Sequence, residues 1–263
     1  MFSINDLFDI VRDFAPIELS YACIKNGDYD NSGIIINAHN QVDKVLFSLD
    51  LSNESVKRAK RLGCDTIITH HPAIYYPIKT LDSNGASSAV IKAAANNINV
   101  LSMHLNLDVC KQGIDESLAE ALGAKHAVVL DAMSETEGYG REFDLNGATI
   151  KDIKNRIEKN LKTKKIITYA KLGEKIFTAA SFCGAGGGYV EKMLFDGRLK
   201  ADLIITSDAP HHVIKEIIEC GKKAIIIPHY ASENYGFYKF YQSVKEKIEK
   251  TAKTYYFEDK RFL

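Results

Sequence analysis

Short apolar runs alternate with stretches of helical periodicity along most of this chain. Ile4, Leu7, Phe8, Val11 and Phe14 recur at three- and four-residue spacing and predict an opening helix, with Ser3 as its cap, Asp6 in its first turn and Pro16 at its end. A loop rich in Gly, Asp and Asn runs from Lys25 to Gly33. Strands are expected at 34–36 and 45–49, then a helix at Asn53–Leu62 stopped by Gly63. The pattern continues as strand Thr66–Thr69, helix 87–97, strand 100–103, and helix Ile114–Leu122 stopped by Gly123. The stretch 132–147 is polar and glycine-containing, and reads as an extended hairpin or a lobe boundary. Beyond it come helix 150–161, strands 165–169 and 176–182, helix 189–195, strand Leu203–Thr206, helix 213–220, strand 224–227, helix 233–250 and strand 255–257. Such alternation predicts an α/β protein with largely parallel, helix-covered sheets.

Composition narrows the classes. The chain has 263 residues, 46% of them hydrophobic, enough for one large α/β domain or two small lobes. Lys+Arg and Asp+Glu both number 34, so the balanced charge disfavours nucleic acid as a partner. No apolar run approaches the roughly 18 residues of a membrane span, and the N-terminal segment lacks the basic and apolar regions of a signal peptide. The five cysteines are scattered without any Cys-x-x-Cys pair, which suits reduced thiols in the cytoplasm. Cys64 and Cys183 adjoin expected strands and read as small buried hydrophobes.

The candidate chemistry sits just past expected strands, in three places. In an open α/β sheet, ligands bind outside the carboxyl ends of the strands. His70 and His71 follow the strand Thr66–Thr69, and Pro72 prevents the ladder from continuing. Adjacent residues on a strand face opposite ways, but at a strand end the chain can turn both imidazoles toward one cavity. They read either as metal ligands or as loop histidines bonded locally. His104 and Asp108 follow the strand at 100–103. A carboxylate can bridge two cations, yet an Asp there also serves as a turn or cap residue, and His104 could be a satisfied, partly buried histidine. His229 and Glu233 follow the strand at 224–227. Their spacing of four places both on one helix face, although Glu233 near a helix start could serve capping alone.

Taken in order, His70-His71-Pro72 with Ile78-Lys79-Thr80-Leu81, His104-Leu-Asn-Leu-Asp108, and His229-x-x-x-Glu233-x-x-Gly236 resemble the Nif-three-like dinuclear metal-centre proteins, also called the GTP cyclohydrolase 1 type 2 family. Asp30-Asn31-Ser32-Gly33, the glycine run 184–188, and Thr206-Ser207-Asp208 with His211-His212 extend the resemblance over nearly the whole chain. Each motif is weak alone; the ordered set is specific. The resemblance implies two intertwined α/β lobes, approximately 1–130 plus 229–263 and 131–228, forming a single unit of the short form without the family's mid-chain inserted domain. It implies metal ligands at His70, His71, Asp108, His229 and Glu233, with Asp108 bridging, and His104 placed for proton transfer. It also implies a homohexamer with two divalent ions per subunit, of zinc, manganese, iron or cobalt. Ser207 stands where many members have Gly, which puts the backbone turn there in doubt.

The glycine run 184–188 follows a strand and precedes a helix, where backbone N–H groups can meet an anion; it has neither a Walker A nor a Gly-x-Gly-x-x-Gly pattern, and a tight turn for close packing is the alternative. His211 and His212 read as a helix start capped by Asp208, or as substrate contacts. Tyr235, Phe237, Tyr238, Phe240 and Tyr241 cannot all face one core, so part of this cluster is expected at a lobe or subunit interface. The expected function is a dinuclear-metal-dependent hydrolase with a small-molecule substrate, GTP or another nucleotide or phosphoester. The alternative is a non-enzymatic metal-binding adaptor or regulatory ring protein.

Overall fold

The computed structural model describes residues 2–263. It divides into two compact units: the chain through Cys110 with Phe237–Asp259, and Lys111–Gly236 with Lys260–Leu263.

The first unit is built on a five-stranded sheet. Its strands are β1 (Gly33–Ile36), β2 (Lys44–Ser48), β3 (Thr66–Thr69), β4 (Asn99–Ser102) and β11 (Lys253–Phe257), in the order β1-β4-β3-β2-β11. All neighbours run parallel except β1 and β4. β3 and β4 are buried throughout, as continuous apolar runs in a helix-covered sheet should be. Helices α1 (Ile4–Arg12), α2 (Ile17–Lys25), α3 (Asn53–Leu62), α4 (Ser88–Ala95) and the short α5 (Leu105–Val109) complete this unit. Ser3 and Ser52 cap α1 and α3 with reciprocal capping boxes, and Gly63 ends α3 in the left-handed conformation at φ +66°.

The second unit holds a mixed six-stranded sheet of β5 (Lys125–Ala132), β6 (Gly138–Thr149), β7 (Ile167–Thr168), β8 (Lys175–Ser181), β9 (Leu203–Thr206) and β10 (Lys223–Ile226). The order is β5-β6-β8-β9-β10-β7; β8, β9 and β10 run parallel, and the other neighbours antiparallel. Its helices are α6 (Ile114–Leu122), α7 (Ile150–Asn160), α8 (Gly187–Phe195) and α9 (His211–Glu219). Helix α10 (His229–Ile248) gives its residues through Gly236 to this unit and those from Phe237 to the first.

Several elements depart from the expectation in instructive ways. The polar stretch at 132–147 holds the turn and most of the second strand of a hairpin, β6, whose first strand, β5, ends at Ala132. β5 escaped the sequence reading because it lies at a sheet edge and much of it is exposed, so burial leaves little alternation to see. α2 begins directly after Pro16, which stands at its N-cap with φ −55°. α10 starts at His229 rather than at Glu233. Of the aromatic cluster on α10, Phe237, Phe240 and Tyr241 are buried and pack with Phe47 inside the first unit's core.

One buried ion pair stands out in the second unit. Arg141 on β6 meets Asp115 on α6 at 3.0 Å, with side-chain exposures of 3% and 0%, and also donates to the carbonyls of Gly138 and Gly140. The backbone N–H of Cys183 donates to the other Asp115 oxygen at 3.1 Å. Burial pushes the Asp115 carboxyl up to about 6, against the pull of Arg141 and of backbone donors. The folded state therefore holds this proton more tightly than the unfolded chain, and the stability it contributes at low pH is lost as pH rises from about 4 through about 6. Arg141→Met removes the cation that permits ionisation. It is expected to destabilise the protein by about 3–5 kcal/mol at pH 8 and by clearly less at pH 5, measured by urea unfolding. Equal losses at both values would show that the guanidinium acts only through its carbonyl contacts.

Candidate functional site

In the first unit, three imidazoles converge past the carboxyl ends of β3 and β4. The backbone N–H groups of His70 and His71 both donate to the carbonyl of Leu49, at 3.0 and 3.1 Å. This turns the chain off the ladder directly after Thr69. The Thr69 hydroxyl locks the turn by donating to the carbonyl of His71 at 2.8 Å. The rings of His70 and His71 then lie 4.8 Å apart, and that of His104 lies 5.3 and 5.8 Å from them. Each of the three offers a ring nitrogen within 4.8 Å of the other two. Asp108, carried on α5, brings a carboxylate oxygen to 3.4 Å from His70 Nε2. Both groups are buried, so α5 holds Asp108 against His70 and not as a surface cap.

The Nδ1 partners decide what these rings can do. His70 Nδ1–H donates to the Met103 carbonyl at 2.8 Å, His71 Nδ1–H to Asp50 at 2.7 Å, and His104 Nδ1–H to Asp30 at 2.7 Å. A carbonyl or carboxylate on Nδ1 assigns the proton there and leaves Nε2 as the lone-pair nitrogen. It also fixes the ring's orientation, as in metal sites where an acceptor backs each imidazole. The Asp30 side chain is fully buried beside His104. Burial raises its carboxyl, but the hydrogen bond and charge of His104, with the hydroxyls of Ser20 and Ser32, outweigh this and hold it below the usual carboxylate range.

In the second unit, His229 opens α10 after Pro228, and Glu233 follows one turn later. His229 Nε2 lies 3.0 Å from Glu233 Oε1, while its Nδ1–H donates to Asp208 at 2.7 Å. The same backed-imidazole arrangement thus recurs here. Gly184, at φ +56°, packs its backbone against this pair: a side chain there would place Cβ 2.3 Å from Glu233 Oε1 and 3.2 Å from His229 Nε2. The Gly184 N–H donates to Ser232 at 2.9 Å. Gly186 and Gly187 likewise leave no room for a Cβ against Thr206 and the backbone at Asp208. Close backbone approach is the role the geometry supports for this glycine run. Gly236 serves the same end against Ile114 of α6.

One reading from sequence needs revision. Asp208 does not cap α9; Pro210 occupies that position, and Asp208 instead backs His229. His211 and His212 do begin α9, on the surface, and His212 lies 3.4 Å from Glu191. Asp50 was not singled out at all, and Asp30 only as part of a loop motif. A single Asp just past a strand looks like any turn residue, and its partner histidine lies 21 residues away for Asp50 and 74 for Asp30.

The donors fit divalent cations. Among the described residues, His70, His71, His104, Asp108, His229 and Glu233 each belong to a group that could hold a metal ion. Imidazole nitrogens with carboxylate oxygens suit zinc, manganese, iron or cobalt without choosing among them.

Comparison with known proteins agrees with this architecture. A Clostridium perfringens protein named GTP cyclohydrolase 1 type 2 homolog is 31% identical over 251 residues, 94% of this chain and 92% of its own length. A homolog of the same name from Clostridium acetobutylicum is 30% identical over 88% of this chain and 85% of its own. The crystal structure of a Bacillus cereus protein related to NIF3 superposes with a TM-score of 0.84 at 19% identity, over 98% of this chain and 97% of that one, and so shares the fold. The model of the family Duf34/NIF3 (NGG1p interacting factor 3) matches residues 2–260, and the chain belongs to that family.

Proposed function

We propose that this chain is a dinuclear-metal-dependent hydrolase, with His70, His71, Asp108, His229 and Glu233 as the metal ligands. The observation that carries the reading is the backing of the histidines. His70, His71, His104 and His229 each spend Nδ1 on a carbonyl or carboxylate, leaving Nε2 for a ligand or a proton. These donors would hold two cations, which when bound would supply Lewis-acid polarisation of the scissile bond and a hydrolytic nucleophile at neutral pH.

The remaining chemistry belongs to the chain. His104 takes or returns the transferred proton at Nε2. Asp30 keeps its Nδ1 protonated and stabilises the imidazolium when it forms. Asp50 and Asp208 hold His71 and His229 in register. The substrate proposed is a nucleotide, a class suggested by the names of the relatives. The assembly proposed is a homohexamer, as the sequence resemblance implies, and the location the cytoplasm, where the free cysteines would stay reduced. No helix among the described residues is long and apolar enough to cross a membrane.

The deciding assay incubates metal-reconstituted protein with GTP, other nucleotides and simple phosphoesters, and follows product by chromatography, with chelated protein as control. Metal-dependent turnover of at least one nucleotide is expected. Stoichiometric metal with no turnover of any of them would favour the adaptor reading.

A further inference from the structure

Three tyrosines crowd the surface, one of them in ring contact with His104, and the proposed reaction uses none of them. The rings of Tyr29 and Tyr75 lie 5.0 Å apart, those of Tyr29 and Tyr76 4.7 Å, and those of Tyr75 and Tyr76 4.7 Å. Tyr75 stands edge-on to the His104 ring at 5.9 Å and 89°. The residues nevertheless remain 41%, 38% and 64% exposed in the order Tyr29, Tyr75, Tyr76. A cluster of large rings left in solvent gives up burial that a core position would supply, and such patches mark binding sites.

The cluster is also fixed in place. The Tyr75 hydroxyl donates to the Tyr29 carbonyl at 3.1 Å, and the Asn31 side chain donates to the Ile74 carbonyl at 2.6 Å. These bonds tie the loop before β1 to the loop after β3, so the rings are ordered before any ligand arrives. A cavity of about 420 Å³ opens alongside, lined by Tyr75 and Tyr76 with Ile78, Thr80 and Ser87. That volume and mixed lining suit a small organic ligand.

We propose that Tyr29, Tyr75 and Tyr76 form a stacking platform for the planar base of the substrate, setting a purine-type ring against His104. The assignment rests on the hydrolase reading and deepens it, because it makes the base, in addition to the phosphates, a recognised part of the substrate. Stacking reads the ring face, so it selects nitrogen heterocycles over aliphatic phosphoesters while tolerating different bases.

The test is calorimetric titration of metal-stripped protein with guanosine, and separately with ribose 5-phosphate, which carries no base. Guanosine is expected to bind, and Tyr76→Ala and Tyr29→Ala each to weaken it about tenfold. Tyr76→Phe and Tyr21→Ala, the latter an exposed ring outside the cluster, are expected to leave it unchanged, and none of the four to alter ribose 5-phosphate binding. Absence of guanosine binding to the wild type, or binding indifferent to both alanine variants, overturns the platform. So does a change in assembly mass by light scattering accompanying the loss, because the tyrosines would then be subunit contacts. Turnover is assayed separately on metal-loaded protein. Guanosine binding that depends on the tyrosines without any turnover sinks the hydrolase reading and leaves the platform standing.

Discussion

Asp108→Ala is expected to strip the protein of bound metal and abolish metal-dependent turnover, whereas Asp50→Asn only weakens both. Asp108 is buried and faces His70 Nε2 at 3.4 Å, so in the proposed ligand set its carboxylate is the charge that would offset a cation beside His70. Alanine removes both of its oxygens and leaves Glu233 as the one carboxylate of the proposed set. Asp50 instead acts through His71 Nδ1, at 2.7 Å. Asparagine there retains an accepting oxygen but loses the charge that raises the basicity of the ring, and partners of this kind are worth about 10- to 100-fold in metal affinity. Elemental analysis after dialysis separates the cases: metal near wild type in Asp50→Asn under excess metal, and near zero in Asp108→Ala. Circular dichroism confirms that both variants fold. Undiminished metal in folded Asp108→Ala would remove Asp108 from the ligand set.

His104→Gln is expected to lower kcat by about 10²–10⁴ while leaving metal content unchanged. The Asp30 carboxylate is fully buried and bonded to His104 Nδ1 at 2.7 Å, an arrangement that both orients an imidazole and stabilises its protonated form. Glutamine fills similar space yet cannot carry the proton. The competing role is direct ligation, since His104 offers a ring nitrogen within 4.8 Å of those of His70 and His71. Metal analysis of His104→Gln distinguishes the two. Retained metal with slowed turnover supports proton transfer, and metal lost in step with turnover makes His104 a ligand.

The legible part of this protein was local. Buried strands such as β3 and β9 announce themselves as short apolar runs, and amphipathic helices such as α3 by their spacing, a serine cap and a terminal glycine. The histidines and carboxylates could be singled out because ligands gather past strand ends. The edge strand β5 could not be read, because exposure erases the alternation on which a strand prediction rests.

The linear order of residues was therefore enough to specify the α/β class, the family resemblance and the candidate ligands, all of which depend on periodicity or on motif order. Only the folded chain decided which nitrogen of each imidazole is presented, and which aspartates back which rings. It also decided why Gly184 bears no side chain and where the chain divides into units. Those facts arise from groups up to 74 positions apart, held together by strand pairing and burial, and no local spacing encodes them.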